Sequence, residues 1–423
     1  MGVLTQSRVG LFTLIALCWS CSRPATELHI SRLNSPLPIG SVVPQLSSRT
    51  DGRVVLSWLE PRPDKGYRFR AAIGRDLQSE PPVTIDDSPD ITMFSANLPG
   101  VAELPGGAMM AYWERADPKA NDDPYATSIH LARSEDNGKS WAPIPSPHAG
   151  GRPGMHSFLS AFTGGSEFGL VWLDAQNQRH IHKAGANGSA SGDEYLGAVG
   201  LRYASFLSDG RQVADSFIDP ITCECCPTSA AVTSRGPIVV YRNRVAPPGA
   251  RPEDIRYETA TVRDIYLTRL ENSHWSEPNR VYADNWVING CPDNGPAVDA
   301  SGNDVVVAWW TGGGDQPHVS VAFSKDSGTT FGRPMRISTK RAEGQVTVAL
   351  VDHGAAIVGW LEEHQTLARW VDSGGAVGLA TSLGPAPNHT RIPKWIGQDG
   401  RVLAVWNESA DGQRTVRIGR LTP

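Results

Sequence analysis

The residues best suited to chemistry in this chain are three cysteines within four positions, Cys223, Cys225 and Cys226. After residue 21 the only other cysteine is Cys291. Two chemistries fit these thiols. They can form disulfide bonds in an exported protein, or they can bind a soft metal such as copper or zinc, with His156 as a further ligand. The sequence leaves both alternatives open.

A second set of residues could act on a ligand that carries a carboxylate. Arg242 and Arg263 can bind a carboxylate through paired hydrogen bonds, while Asp264 and Tyr266 can transfer protons. These four residues are therefore candidates for catalysis. An ion pair between Arg242 and Asp264 across neighbouring strands is the structural alternative.

Composition excludes one class of partner. The 423 residues carry a formal net charge of -5, and acidic and basic side chains are interspersed. No basic field is available to attract nucleic acid, so we expect no nucleic acid partner. The 43 glycines, 32 prolines and 13 tryptophans, with few helix-forming runs, favour many short strands joined by turns.

The first 21 residues predict export. Arg8 precedes an apolar run from Val9 to Leu17, which is too short to span a membrane. Ser20 directly before Cys21 resembles a bacterial lipoprotein processing site, so we expect a lipid anchor at Cys21, with simple secretion as the alternative. Residues 22–423 are then one domain in the cell envelope, in the periplasm or on the outer membrane, and the lipid is its only membrane contact.

An internal repeat predicts the strands and turns that hold the candidate site residues in place. A turn containing glycine, followed by an apolar strand that ends in an aromatic residue, occurs seven times. The aromatic ends lie 46 to 69 residues apart, the length of one four-stranded antiparallel unit. Such units cannot bury both faces alone, which predicts an all-β fold, a β-propeller of seven blades. The repeated strands are 51–58, 106–113, 166–172, 236–241, 302–309, 354–360 and 399–406.

The last unit is one strand short. Glu27 to Leu33 is predicted to supply that strand and close the ring. In a propeller the first strand of each blade lies nearest the central channel, so the residues that open these strands meet at one face. Cys226 opens the fourth blade and Cys291 the fifth, while His156 opens the third and Arg391 the seventh. We call this face the cysteine-bearing face and expect a site there.

Two loops share the pattern S-x-D-x-G-x-x-[W/F], namely Ser134 to Trp141 and Ser324 to Phe331. The aspartate can accept hydrogen bonds from backbone N–H groups of its own turn, and the glycine permits a positive φ. With this pattern, the Asp box or BNR repeat, the chain resembles the sialidase-like β-propellers. The resemblance covers nearly all of the chain after the leader. Because sialidases proper have six blades, it also implies six blades as the alternative to seven.

The same resemblance implies an activity, that of an exo-α-sialidase type of glycoside hydrolase. Such enzymes bind the substrate carboxylate through three arginines, the first of them in an F/Y-R-I-P motif. Arg391-Ile392-Pro393 keeps three residues of that motif but lacks the aromatic residue, and it lies in the last unit instead of near the N-terminus. The resemblance thus adds Arg391 to the catalytic candidates.

Three functions are compatible with the sequence. The first is a monomeric envelope propeller that binds a glycan or an envelope protein at the cysteine-bearing face, together with copper or zinc, and does not hydrolyse it. The second is a glycoside hydrolase of the exo-sialidase type that acts on glycans. The third is a scaffold protein of an envelope complex.

Overall fold

A computed structural model describes Gly2 and residues 26–75, 77, 81–91, 98–117, 123, 125–148, 153–184, 190–245, 249–256, 259–352, 354–410 and 412–423. Across these ranges the chain consists of strands and turns, and its one helical element there is a 3-10 turn at Pro252–Asp254. No helix in the described part is long and apolar enough to cross a membrane. The predicted export signal and lipid anchor at Cys21 lie outside the described residues.

Seven antiparallel sheets form a seven-bladed β-propeller, which confirms seven blades over six. Each blade runs from an inner to an outer strand in chain order, except that the last takes its outer strand from the N-terminus. In order, the strands are Val42–Ser48, Val54–Pro61, Tyr67–Gly74 and Val83–Asp86; Gly100–Glu103, Met109–Ala116, Thr127–Ser134 and Ala142–Ile144; His156–Gly164, Glu167–Asp174, Val199–Leu207 and Gln212–Thr222; Ser229–Thr233, Gly236–Arg242, Ile265–Glu271, His274–Trp275 and Asn279–Arg280; Ala297–Ser301, Asp304–Thr311, His318–Ser324 and Met335–Arg336; Ala342–Asp352, Ala355–Glu362, Gln365–Asp372 and Thr381–Pro385; Ile396–Gln398, Arg401–Ala410, Gln413–Thr422 and His29–Leu33.

The N-terminal strand closes the ring as predicted. His29–Leu33 pairs antiparallel with Gln413–Thr422, and Ile30 lies opposite Leu421. The seventh blade therefore contains both ends of the described chain. This arrangement leaves no blade without a neighbour on either side.

The core is divided among the contacts between adjacent blades. Seven clusters of buried apolar residues each draw their members from two neighbouring blades, including the pair formed by the seventh and the first. The aromatic residues that end the repeated strands are buried in these clusters: Trp58, Trp113, Trp172, Tyr241, Trp309, Trp360 and Trp406. Burial of one large aromatic side chain per blade explains why the repeat ends in an aromatic residue.

The two loops with the S-x-D-x-G-x-x-[W/F] pattern lie between the third and fourth strands of the second and fifth blades. Asp136 Oδ1 accepts hydrogen bonds from the backbone N–H groups of Lys139 and Ser140, and Gly138 has a φ of 81°. Asp326 repeats this arrangement with Thr330. The hydrogen bonds from Ser140 are the main cause that lowers the pKa of Asp136 to about 2. Each turn is therefore stabilised by its own aspartate.

Two small sheets lie outside the blades. Arg179–Ala184 pairs with Ala190–Leu196, and Thr261–Val262 pairs with Val287–Ile288. Both begin in the loops that follow the second strand of a blade. Because the second strand ends where the first begins, as in the pairing of His156 with Asp174, these loops belong to the cysteine-bearing face.

Candidate functional site at the cysteine-bearing face

The central channel contains a cavity of about 110 Å³ near the starts of the inner strands. All seven blades contribute to its wall. Its polar lining side chains are Gln45, Tyr112, Ser160, Thr228, Ser229, Gln345, Thr347, Arg391 and Lys394. Because inner strands line it, this cavity is where residues from different blades can act on one ligand.

The charge in this cavity is positive. Arg391 and Lys394 line it, and no aspartate or glutamate of the described chain does. Lys394 Nζ donates to the carbonyl oxygen of Ala230 at 3.3 Å. Burial raises the pKa of Tyr112 to about 12, so its hydroxyl stays a neutral donor at physiological pH. The cavity therefore offers two cations and several neutral polar groups.

The opposite end of the channel is wider and has carboxylates in its wall. A cavity of about 690 Å³ there is lined by Asp299, Asp352 and Asp399, and Lys394 reaches it as well. Burial raises the pKa of Asp299, and the charge of Lys394 opposes that rise. Lys394 thus stands between an anionic end of the channel and the cationic cavity at the cysteine-bearing face.

Arg391 connects three blades at the mouth of the channel. Its Nη1 donates to Gln345 Oε1 at 2.7 Å, and its Nη2 forms an ion pair with Asp293. Nε has no hydrogen-bond partner. Burial lowers the pKa of this arginine, whose side chain is 5% exposed, whereas that of Asp293 is 55% exposed. The carboxylate that neutralises Arg391 is therefore solvent-accessible and replaceable.

The cysteines divide into a disulfide and a pair of thiols. Cys225 is bonded to Cys291, with their Cα atoms 6.0 Å apart. This bond confirms the predicted disulfide between the segments that open the fourth and fifth blades. Cys223 and Cys226 are free, 1% exposed, and their Sγ atoms lie 2.8 Å apart without a bond. The cluster thus contains an oxidised pair beside a reduced pair.

The two thiols lie in a positive environment. Glu224 accepts hydrogen bonds from Arg244 at 3.3 Å and from Arg263 at 3.2 Å. Burial raises the pKa of Cys226 well above its usual range. Burial also acts to raise the pKa of Cys223, but the hydrogen bond from Cys226 and the charge of Arg263 outweigh it, so the pKa of Cys223 is lowered. Cys223 is therefore the more acidic of the two thiols.

Arg242 does not form the ion pair with Asp264 that was the structural alternative, since Asp264 is paired with Arg280. Its guanidinium donates to the backbone carbonyls of Asn294 at 2.9 Å and of Arg263 and Trp310 at 2.6 Å each. It also stacks over Trp286 at 5.2 Å. Arg242 ends a second strand, so its side chain lies outside the channel and holds the fourth and fifth blades together.

Asp264 and Tyr266 are also placed away from the cavity. Asp264 is fully buried, accepts hydrogen bonds from the backbone N–H groups of Asn285 and Trp286, and forms an ion pair with Arg280 at 3.3 Å. Tyr266 Oη accepts from Arg280 Nε at 3.1 Å. Of the five residues predicted to be catalytic, the structure brings only Arg391 to the cavity. The other four belong to the second and third strands of the fourth blade and the connection between them, and none of them lines the cavity.

His156 is not brought to the thiols. The Sγ atoms of Cys223, Cys225 and Cys226 lie within 4.8 Å of one another, and no histidine of the described chain joins this group. His156 Nδ1 instead lies 3.3 Å from Asp174 Oδ2, and its ring stacks on His148. The predicted five-ligand metal site is therefore reduced to sulfur atoms, two of them committed to the disulfide.

Sequence reasoning missed two charged residues of this face. Lys394 follows the Arg391-Ile-Pro segment by one residue, and Glu224 lies inside the cysteine cluster. Both positions were visible in the sequence as charges beside motifs. Neither was predicted as a site residue, because an isolated lysine or glutamate belongs to no recognisable sequence motif.

No protein-family profile matches this chain, and no curated protein matches its sequence. Among solved structures, the polysaccharide lyase Uly1 is 11% identical over 91% of this chain and 90% of its own, with a TM-score of 0.51. The α-L-arabinofuranosidase Arb93A from Fusarium graminearum is 11% identical over 94% and 98%, with a TM-score of 0.47. A protein of unknown function from Dyadobacter fermentans is 14% identical over 94% and 98%, with a TM-score of 0.46. Such likeness extends to the fold alone, and the sialidase resemblance stays a prediction.

Proposed function

We propose that this protein is an exported binding propeller that holds the carboxylate of an acidic ligand in the cavity at its cysteine-bearing face, without hydrolysing the ligand. One observation carries the proposal. The cavity is lined by Arg391 and Lys394 and, within the described chain, by no carboxylate. Lys394 attracts an anion to this concave site, and the exposed Asp293 that neutralises Arg391 can give way to the ligand carboxylate.

Arg391 is suited to a carboxylate for a geometric reason. Its planar guanidinium matches the two oxygens of a carboxylate, and it already binds the carboxylate of Asp293. Since Asp293 is largely exposed, a ligand carboxylate can replace it at Nη2 while Gln345 keeps Nη1 in place. Lys394 then supplies a second cation deeper in the channel, and Thr228 and Ser229 offer hydroxyl groups.

Binding is favoured over hydrolysis because the described residues that line the cavity include no pair of groups suited to act as acid and base. Glycosidases of the sialidase type need a tyrosine activated by a carboxylate and a second carboxylate as proton donor. Tyr112 lines the cavity, but burial raises its pKa to about 12, and no lining carboxylate of the described chain is there to activate it. Asp264 and Tyr266 are engaged by Arg280.

An acidic oligosaccharide is the ligand to test first. The Asp-box loops resemble those of sialidase-like propellers, and the polysaccharide lyase Uly1 shares the fold. A cavity of about 110 Å³ admits a carboxylate with its adjoining atoms and leaves the rest of the saccharide at the mouth. The proposed location is the cell envelope, as predicted from the leader and Cys21.

Calorimetric titration tests the proposal. The protein is titrated with a uronate- or sialate-terminated oligosaccharide and with the neutral oligosaccharide of the same length. We expect the acidic ligand to bind about tenfold more tightly, which is about 1.4 kcal/mol. Lys394→Gln and Arg391→Gln should each remove this difference, whereas the surface variant Arg336→Gln should keep it. Equal affinity for the neutral and acidic ligands in the unaltered protein would refute the proposal.

The hydrolase alternative has its own readout. Release of a fluorogenic leaving group from a sialoside, lost in Arg391→Gln and kept in Arg336→Gln, would replace the binding function by catalysis. We expect no turnover beyond that of the Arg391→Gln variant. For the scaffold alternative, a reproducible envelope partner retained by Arg391→Gln, together with no acidic ligand, would decide in its favour.

A further inference from the structure

We propose that Cys223 and Cys226 form a two-coordinate thiolate site for a soft monovalent cation of the copper(I) class, beside the Cys225–Cys291 disulfide. This site is separate from the carboxylate cavity and does not depend on the proposed function. Thiolate sulfur is a soft donor, and soft donors select copper(I).

The donor atoms are already assembled. The Sγ atoms of Cys223 and Cys226 lie 2.8 Å apart, and both side chains are removed from solvent. They belong to one turn with two residues between them, and binding a cation between the sulfur atoms requires the two side chains to rotate apart. Neither thiol takes part in the disulfide.

The charges around the thiols fit the product of binding. Copper(I) with two thiolates carries a net charge of -1. The charges of Arg242 and Arg263 act on Cys223, and Arg244 lies against Glu224. Glu224 forms ion pairs with both Arg244 and Arg263, but its single charge balances only one of the three cations. Arg263 Nη2 is buried and has no hydrogen-bond partner. A buried guanidinium donor without an acceptor favours an anion beside it, and the anionic thiolate complex supplies one.

The same geometry argues against zinc. Structural zinc sites use four nitrogen or sulfur ligands. Here Cys225 and Cys291 are joined to each other, and His156 lies against Asp174. Two sulfur atoms remain, a number that suits copper(I) and leaves zinc with half of its protein ligands missing.

The binding step is balanced without an oxidant or a reductant. One copper(I) ion and two thiols give one bis-thiolate copper complex and two protons, which pass to solvent. The disulfide is not consumed. Metal uptake should therefore release protons and depend on pH, as expected where thiols must be deprotonated.

The test uses the full chain with Cys18→Ser and Cys21→Ser, so that the leader thiols cannot bind metal. The protein is isolated with the Cys225–Cys291 disulfide verified by mapping of non-reduced peptides. Copper(I) is then titrated against a chromophoric copper(I) chelator. We expect one copper(I) per chain and, by X-ray absorption, a shell of two sulfur atoms.

The variants separate the thiol pair from the disulfide. Cys223→Ser and Cys226→Ser should each lose copper(I) binding, whereas Cys225→Ser/Cys291→Ser should keep one ion per chain. Circular dichroism and the denaturation midpoint show whether each variant is folded. In the unaltered pair, copper(I) should also protect both thiols from alkylation, a readout that needs no variant.

Three results would overturn the proposal. The first is no copper(I) uptake by folded protein with two titratable buried thiols. The second is equal uptake by folded Cys223→Ser and Cys226→Ser. The third is a zinc complex that persists under the same chelator competition while copper(I) does not bind.

Discussion

Removal of the Cys225–Cys291 disulfide should cost this protein a large part of its stability. The bond closes a loop over a sequence separation of 66 residues. For a loop of this length, the lost conformational entropy of the unfolded chain corresponds to about 4 kcal/mol at 25 °C. Domains are stable by only about 5 to 15 kcal/mol, so this one bond is a substantial share. The Cys225→Ser/Cys291→Ser variant should therefore lose about 3 to 4 kcal/mol.

Guanidinium denaturation followed by tryptophan fluorescence measures this loss, since the chain has 13 tryptophans. Loss of the cross-link should also change the denaturant slope. Without the bond the unfolded chain expands, so the denaturant slope should rise together with the fall in midpoint. The Cys18→Ser/Cys21→Ser variant is the matched control and should keep the midpoint of the unaltered protein. A loss of unfolding free energy below about 1 kcal/mol, with an unchanged slope, would show that the disulfide does not stabilise the fold by restricting the unfolded chain.

Three further outcomes follow from the structure. Arg242→Met should destabilise the fold by about 3 kcal/mol or more, because two buried carbonyls and one partly buried carbonyl lose their donor. Denaturation of the control Arg336→Met should show a change within about 0.5 kcal/mol. Burial, assisted by the nearby charge of His156, lowers the pKa of His148 to about 3. As the pH falls, His148 is therefore protonated in the unfolded chain before it is protonated in the folded chain. The free energy of unfolding should fall by about 2 kcal/mol between pH 7 and pH 5. His148→Phe should flatten that pH dependence and His364→Phe, at an exposed site, should not; an equal slope in all three proteins would contradict the assignment. Raising the salt concentration should weaken acidic oligosaccharides more than neutral ones, as titration at two ionic strengths will show, and equal weakening would argue against charge as the source of affinity.

The sequence was sufficient for the architecture because the signal for each blade is local and repeated. A glycine turn, an alternating strand and a terminal aromatic residue occur in every unit, and each aromatic, such as Trp360, is buried between blades. Outer strands were less certain. In the sixth blade, for example, Val377 forms only an isolated bridge with Val371, and the outer strand is Thr381–Pro385. Partly exposed outer strands carry little hydrophobic pattern to fix their ends.

The site was harder to predict because its contacts are long-range. The rule that inner strands open on one face predicted that Cys291 would meet the cysteine cluster, and the disulfide confirms it. It could not choose Cys225 over its neighbours, since three cysteines within four positions are equivalent in sequence. Arg242 was misplaced for a different reason. Its acceptors are backbone carbonyls, and because every residue has one, the residue types in the sequence do not show which carbonyls accept.

Two acidic residues that follow the repeated tryptophans have hydrogen-bond partners close to them in the sequence. Asp174 and Glu362 accept hydrogen bonds from the indole N–H groups of Trp172 and Trp360. A partner two residues away in the same strand is accessible to sequence reasoning. A partner in the next blade, such as Asp293 for Arg391, is not.

A crystal structure of the protein with an acidic oligosaccharide would show where the ligand carboxylate binds. We expect it in the channel cavity, about 2.7 to 3.2 Å from a nitrogen of Arg391 or Lys394, with Asp293 turned towards solvent. A ligand bound elsewhere, or one whose carboxylate points away from these two cations while Asp293 keeps its ion pair, would contradict this expectation.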